Sequence, residues 1–169
     1  EVIALGKNSI ILKGDWLNIP ISQSWRIELS KENHIIWNVE VEIYEELDLE
    51  IEQANLMLSK EYKNWTIPGI GIGINDFPEE FTQDYDILPY RCWYGIPKKE
   101  GIMATGNNLP NIIFRPESES VSLKAIVENT DYLYQARLFQ YQRSNMGKLF
   151  PHKYRFFSGI IEIKPHDKL

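Results

Sequence analysis

The stretch "HIIWNVEVEIYEELDLEIEQANLMLS", residues 34–59, decides the fold. Ile35, Trp37, Val39, Val41 and Ile43 occupy alternate positions, with Asn38, Glu40, Glu42 and Tyr44 on the opposite phase. Successive side chains of a strand point to opposite faces, so this period of two predicts a half-buried strand. The pattern resumes with Leu47, Leu49 and Ile51 set against Asp48, Glu50 and Glu52. One strand through all of it would far exceed the usual length of about 3–10 residues. A turn is therefore expected near Glu45-Glu46, although no Asn-Gly or Asp-Gly marks a tight hairpin there. At Gln53-Ala54 the apolar phase changes, and Ala54, Leu56 and Leu58 carry it on. One extra residue in the strand, a β-bulge, would produce that change.

Weaker alternation extends outward from this stretch. Trp25, Ile27 and Leu29 share a face in "SWRIEL", and Val121, Leu123, Ala125 and Val127 share one in "SVSLKAIV". "YLYQARLFQYQ" sets Tyr132, Tyr134, Ala136 and Leu138 against Leu133, Gln135, Arg137, Phe139 and Tyr141. Near the end, Phe157, Ile161 and Ile163 alternate, while "EVIAL" and "SIILKGDW" fit edge strands. "ANLMLSKEYKNW" is the one helix candidate, and it fits the end of a strand equally well. The expectation is an all-β fold: an antiparallel β-sandwich of roughly eight to ten short strands, with little helix. Residues 64–120, rich in Pro, Gly, Asn, Asp and aromatics, read as a long irregular insertion. Residues 1–169 are expected to form a single β-sandwich domain, as part of a larger protein.

Composition narrows the partners. A net charge of -6 argues against nucleic acid, because phosphate neutralisation needs a basic surface. No apolar run approaches the roughly 18 residues of a helical membrane span. The single Cys92 excludes an internal disulfide and leaves the compartment open.

"IPGIGIGINDFPEEF", residues 67–81, spaces Gly69, Gly71 and Gly73 at alternate positions. A phosphate loop would follow a strand, open a helix and carry Lys-Ser or Lys-Thr. Here Asp76, Glu79 and Glu80 follow and would repel phosphate. The expected structure is a strand or extended loop with Ile70, Ile72 and Ile74 buried and the glycine face open to close approach. His34, His152 and His166 lack metal-ligand spacing, and no Gly-x-Ser-x-Gly elbow occurs, so no metal, cofactor or catalytic residue is assigned. The acidic run from Asp76 to Asp86 does not match an EF-hand loop.

The densest constellation is "DYDILPYRCWYG", residues 84–95. Sugars present flat CH faces to aromatic rings and hydroxyl edges to charged and amide groups. Tyr90, Trp93, Tyr94 and Trp65 are the candidate stacking rings, and Asp84, Asp86 and Arg91 the candidate hydroxyl partners. The same aromatics would serve equally as core covering a sheet.

"SWRIEL" and "HIIWNVEVEIYEELDLEIEQANLMLS", with a fainter echo in "YQARLFQYQ" and "FFSGIIEI", resemble β-sandwich domains of the galactose-mutarotase-like, or supersandwich, type. Those domains occur in mutarotases and as accessory domains of bacterial glycan-processing and polysaccharide-biosynthesis proteins. No catalytic His or Glu of that family maps onto this chain. The resemblance implies a non-catalytic, carbohydrate-associated module. The alternatives are a sugar isomerase, epimerase or lyase, with His152 and a carboxylate such as Asp84 as acid and base, and a module that docks a partner protein.

Overall fold

A computed structural model describes residues 1–30, 32–69, 73–79, 81, 100–117, 123–130 and 133–166. Among them are twelve strands and no helix. Nine form one antiparallel sheet: β1 (Val2–Leu5), β2 (Ser9–Asp15), β3 (Ile21–Leu29), β4 (His34–Ile43), β6 (Asn64–Thr66), β7 (Asn75–Asp76), β8 (Ile102–Thr105), β9 (Asn111–Pro116) and β12 (His152–Lys164). Their spatial order is β1-β2-β3-β4-β12-β9-β8-β6-β7. The smaller sheet holds β10 (Lys124–Asn129), β11 (Ala136–Leu149) and β5 (Leu47–Ser59), in the order β10-β11-β5. The all-β antiparallel sandwich is therefore the observed architecture.

The alternation of residues 34–59 explains both layers. Val39, Val41 and Ile43 are buried on the inner face of β4, while their polar neighbours face outward. The turn at residues 44–46 falls where expected, but it does not close a hairpin. It carries the chain from the large sheet to the small one, since β4 pairs with β3 and β12 and β5 pairs with β11. The change of phase in β5 also has a different origin. The bulge lies across the pair, in β11, where the register slips between Ser144 and Gly147, opposite Leu49–Ile51. Asn145 and Gly147 adopt left-handed φ of 58° and 68° there. The extra twist of a bulge exchanges the inward set of β5. Leu47 packs on the core before it, and Glu52, Ala54, Leu56 and Leu58 face inward after it.

The core between the sheets is aromatic. Phe114 and Phe157 are fully buried, with Trp37 and Tyr141 against them: Trp37 lies 6.1 Å from Phe114 and 5.3 Å from Phe157, and Tyr141 4.9 Å from Phe114. The Tyr141 hydroxyl donates to the Phe114 carbonyl at 2.9 Å, a polar tie across the sandwich. A second bulge, between Arg155 and Phe157, lets Phe156 and Phe157 both turn inward.

At one end Arg137, 3% exposed, clamps the turns around the small sheet. It donates to the carbonyls of Lys60, Tyr62 and Pro78 and to Asn129 Oδ1, at 2.7–3.2 Å. Its guanidinium lies 5.1 Å from the ring centres of both Phe77 and Phe81.

Of the two readings of residues 54–65 the strand end holds: they form the end of β5, a turn and β6. Two other expectations change. The supposedly irregular middle contributes β6, β7, β8 and β9. In the glycine stretch, Ile74 is 68% exposed instead of buried. Gly69 occupies a left-handed turn with φ of 80°, and nothing lies within 4 Å of a Cβ placed on Gly73. Ile70, Gly71 and Ile72 lie outside the described residues.

Candidate functional site

The two sheets are unequal, and that inequality makes a cleft. The small sheet ends at β5, while the large sheet continues beyond it through β3, β2 and β1. The inner face of β2 and β3 is left uncovered there. Two adjoining recesses occupy the space, sharing Trp16 and Gln23. The first, of about 370 Å³, is bounded by Lys13, Asp15, Trp16, Gln23 and Trp25. The second, of about 630 Å³, runs between the edge of β5 (Asp48, Glu52, Gln53) and the inner side of the large sheet (Ile21, Val41, Phe156).

Strand alternation places the floor of the first recess. Gln23 pairs with Gly14 and Val41, and Trp25 with Leu12 and Val39, so these residues share the inner face. Gly14 carries no side chain to fill the floor, and nothing lies within 4 Å of a Cβ there. Trp25 is anchored edge-to-face on Trp37 at 6.5 Å yet remains 39% exposed. Trp16, in the turn after β2, is 51% exposed. The Trp25 indole N–H donates to Gln23 Oε1 at 3.3 Å, and Gln23 lines both recesses. Two half-open indoles thus flank an oriented amide.

Glu52 marks the inner end. It is 8% exposed. One carboxylate oxygen accepts the Tyr154 hydroxyl from the opposite sheet, and Arg143 Nη1 lies 3.9 Å from the other, Oε2, which accepts no hydrogen bond. Burial pushes the Glu52 carboxyl above the ordinary carboxylate range, and the Tyr154 bond, Arg143 and His152 oppose that shift. Burial and the Glu52 bond both push the Tyr154 phenol up. His152, exposed at the start of β12, stacks on Tyr154 at 4.8 Å and contacts the Phe150 carbonyl through Nδ1 at 2.6 Å.

Of the residues singled out in the sequence, Trp65 lies in β6 with its ring in the core, 6% exposed and with no hydrogen bond to its indole nitrogen. Asp84, Asp86, Tyr90, Arg91, Trp93 and Tyr94 lie outside the described residues. Glu52 had been assigned to the polar face of β5. The signal that places it inside was present: stepping back by two from Leu58, Leu56 and Ala54 arrives at Glu52. Trp16 and Gln23 carried no pattern of their own, because their setting depends on where the small sheet stops.

No protein-family model matches the chain, and no curated protein matches it. Among solved structures, the chain is similar to the crystal structure of a "putative aldose 1-epimerase" from Escherichia coli K12, with a TM-score of 0.58 and 11% sequence identity. The match covers 98% of this chain and 68% of that one. The fold is therefore mutarotase-like, as the strand pattern implied. At this identity the likeness concerns fold alone.

Proposed function

We propose that this chain is a carbohydrate-associated β-sandwich domain that holds a saccharide in the open cleft between β5 and the inner face of β2–β3, within a larger glycan-processing protein. One observation carries the reading: Trp16 and Trp25 stand half exposed on either side of Gln23 over a floor with no side chain at Gly14. Indole faces pack on the CH faces of a sugar ring, and an amide whose oxygen is already engaged presents donors to hydroxyl oxygens. The mutarotase-like fold supports the ligand class. Asp84, Asp86, Tyr90, Arg91, Trp93 and Tyr94 offer the same chemistry, and they are part of the proposal as a second binding segment.

The test is a glycan array on the purified chain, followed by calorimetric titration of the best ligand. Trp25→Ala is expected to lower affinity at least about tenfold while preserving the fold, since loss of a stacking ring at a binding centre costs more than about 1 kcal/mol. Undiminished binding by Trp25→Ala moves the ligand elsewhere, and Trp93→Ala then tests the second segment.

A second reading, a sugar isomerase or epimerase, is favoured by Glu52, which lines the inner recess and accepts the Tyr154 hydroxyl, with His152 stacked on Tyr154. Anomer interconversion needs one group to take a proton from a hydroxyl and another to give one to the ring oxygen. A carboxyl lifted by burial suits such a task. Polarimetry of freshly dissolved aldoses tests this: acceleration that Glu52→Gln abolishes establishes an enzyme, and a rate equal to buffer leaves the binding module.

A further inference from the structure

Where the small sheet stops, residues of the large sheet that belong to its inner face stay exposed. By register Trp25 pairs with Val39, Ile27 with Trp37 and Leu29 with Ile35, so all three share the inner phase of β4. Trp25 is nevertheless 39% and Leu29 52% exposed. Ile10 and Leu12 continue that apolar face onto β2. An apolar sheet face is stable when another layer covers it, and here no layer does.

The strand that borders the gap is β5. It pairs with β11 on one side, and among the described residues no backbone bond reaches its other side. In an antiparallel pair every second residue turns its N–H and C=O away from the partner, so β5 presents a row of free donors and acceptors. Its portion from Leu47 to Asn55 borders the inner recess with residues of both phases, as a strand edge does, facing Ile21, Val41 and Phe156 of the large sheet. Such edges are commonly guarded by shortness, lysine, proline or a bulge. β5 has 13 residues with neither Lys nor Pro, and the extra residue that shifts its register belongs to β11.

We propose that the inner recess is an open strand position, which an extended peptide segment of a partner protein fills by pairing with β5 and laying alternate apolar side chains over Ile21, Val41 and Phe156. This goes beyond the saccharide reading and does not depend on it, because it rests on the backbone edge of β5 rather than on the indoles of the outer recess. Main-chain bonds give such an added strand its affinity, and the side chains of one phase give it selectivity. The other phase would lie beside Asp48 and Glu50, both exposed on β5. Like charges on adjacent strands destabilise the pair, so the partner segment is polar but not acidic on that phase. A second copy cannot supply the strand by antiparallel β5–β5 pairing: each large sheet runs on past its own β5, and the two overhangs would occupy the same space.

Two synthetic peptides test this on the purified chain, KTVTVTVK and its counterpart ETVTVTVE, by fluorescence polarisation of a terminal dye and by amide hydrogen exchange of the protein. KTVTVTVK is expected to bind saturably and, at roughly tenfold excess over its Kd, to slow exchange of alternate β5 amides between Leu47 and Asn55 about tenfold. N-methylation of one alternate set of its amides should abolish binding, while methylation of the other set changes Kd less than about twofold, because an added strand turns only every second N–H to its neighbour. The glutamate peptide should bind at least about threefold more weakly at low salt. No saturable binding up to about 1 mM, protection confined to other strands, or equal sensitivity to both methylated sets overturns the strand position. Equal affinity of the glutamate peptide overturns the exclusion of acidic partners. The effect of Trp25→Ala on glycan binding is read separately, so the failure of one reading is not mistaken for the failure of the other.

Discussion

Replacing Arg137 by methionine tests whether a single buried cation holds one end of the sandwich. Methionine keeps an unbranched chain between Phe77 and Phe81 but carries no donor. The carbonyls of Lys60, Tyr62 and Pro78 and the Asn129 side-chain oxygen each lose a partner. Stranding a buried acceptor costs about 1–3 kcal/mol; the Pro78 carbonyl keeps the Asn129 amide at 2.9 Å, so at most three acceptors are stranded, together comparable to the stability of an ordinary domain. The sum is smaller in practice. A recess of about 830 Å³ adjoins Arg137, so water reaches some of these groups, and the arginine's own desolvation cost disappears with it. That cost is visible in the downward push of burial on its pKa. The expected net loss is about 3–5 kcal/mol, the range for breaking a buried polar network. With a urea slope of roughly 2 kcal/mol/M, the unfolding midpoint falls by about 2 M. Arg137→Lys keeps the charge but not the planar fork, and should fall between the two. A midpoint within about 0.5 M of the parent, at unchanged slope, would refute the clamp.

Trp37→Ala removes a ring that touches Trp25, Phe114 and Phe157, and should cost about 3–5 kcal/mol by chemical denaturation; less than about 1 kcal/mol would place the ring outside the core. Glu52 has its folded-state pKa raised by burial, so its contribution is fully present below its unfolded value and fades as pH rises through the folded one. Thermal melts from about pH 4 upward should therefore show a stability decline that Glu52→Gln flattens, and an identical slope in both proteins contradicts the burial of that carboxyl. Gly69→Val, forced into φ of 80°, should destabilise by about 1–3 kcal/mol, whereas Gly73→Val, facing open space, should change the midpoint by less than about 0.5 kcal/mol; the reverse order would misplace the turn.

Long alternating segments were legible because each strand with one wet and one dry face records its own orientation. The face of β4 follows from Trp37, Val39, Val41 and Ile43 alone. What residues 44–46 do was not legible, since a turn between paired strands and a turn between sheets need the same local chemistry. The short strands β6, β7 and β8, of 3, 2 and 4 residues, contain too few positions to show a period. β11 hid its setting differently: Leu138 and Gln140 are buried on one side, Phe139 and Tyr141 on the other, so alternation there distinguishes no face. The cleft was least legible of all. It arises from the different widths of two sheets, and width is a property of pairing partners far apart in the chain.

The place of β12 sets the order in which this protein can be made. The last of the described strands is not at an edge: it lies between β4 and β9, bonded to β4 along most of its length and to β9 over Gly159–Lys164. Ser158 of β12 contacts Asn38 of β4 across 120 residues of sequence. During synthesis the β1–β4 meander can form early, as can the β9-β8-β6-β7 half, but each leaves a bare edge toward the position β12 will fill. The two halves become one sheet only when β12 leaves the ribosome. Such closure through distant contacts is slow, and the Ile- and Val-rich edge of β4 is meanwhile a template for pairing with other chains. A ribosome stalled before residue 152 would therefore carry two separate half-sheets and a sticky seam, the state in which this protein most needs a chaperone.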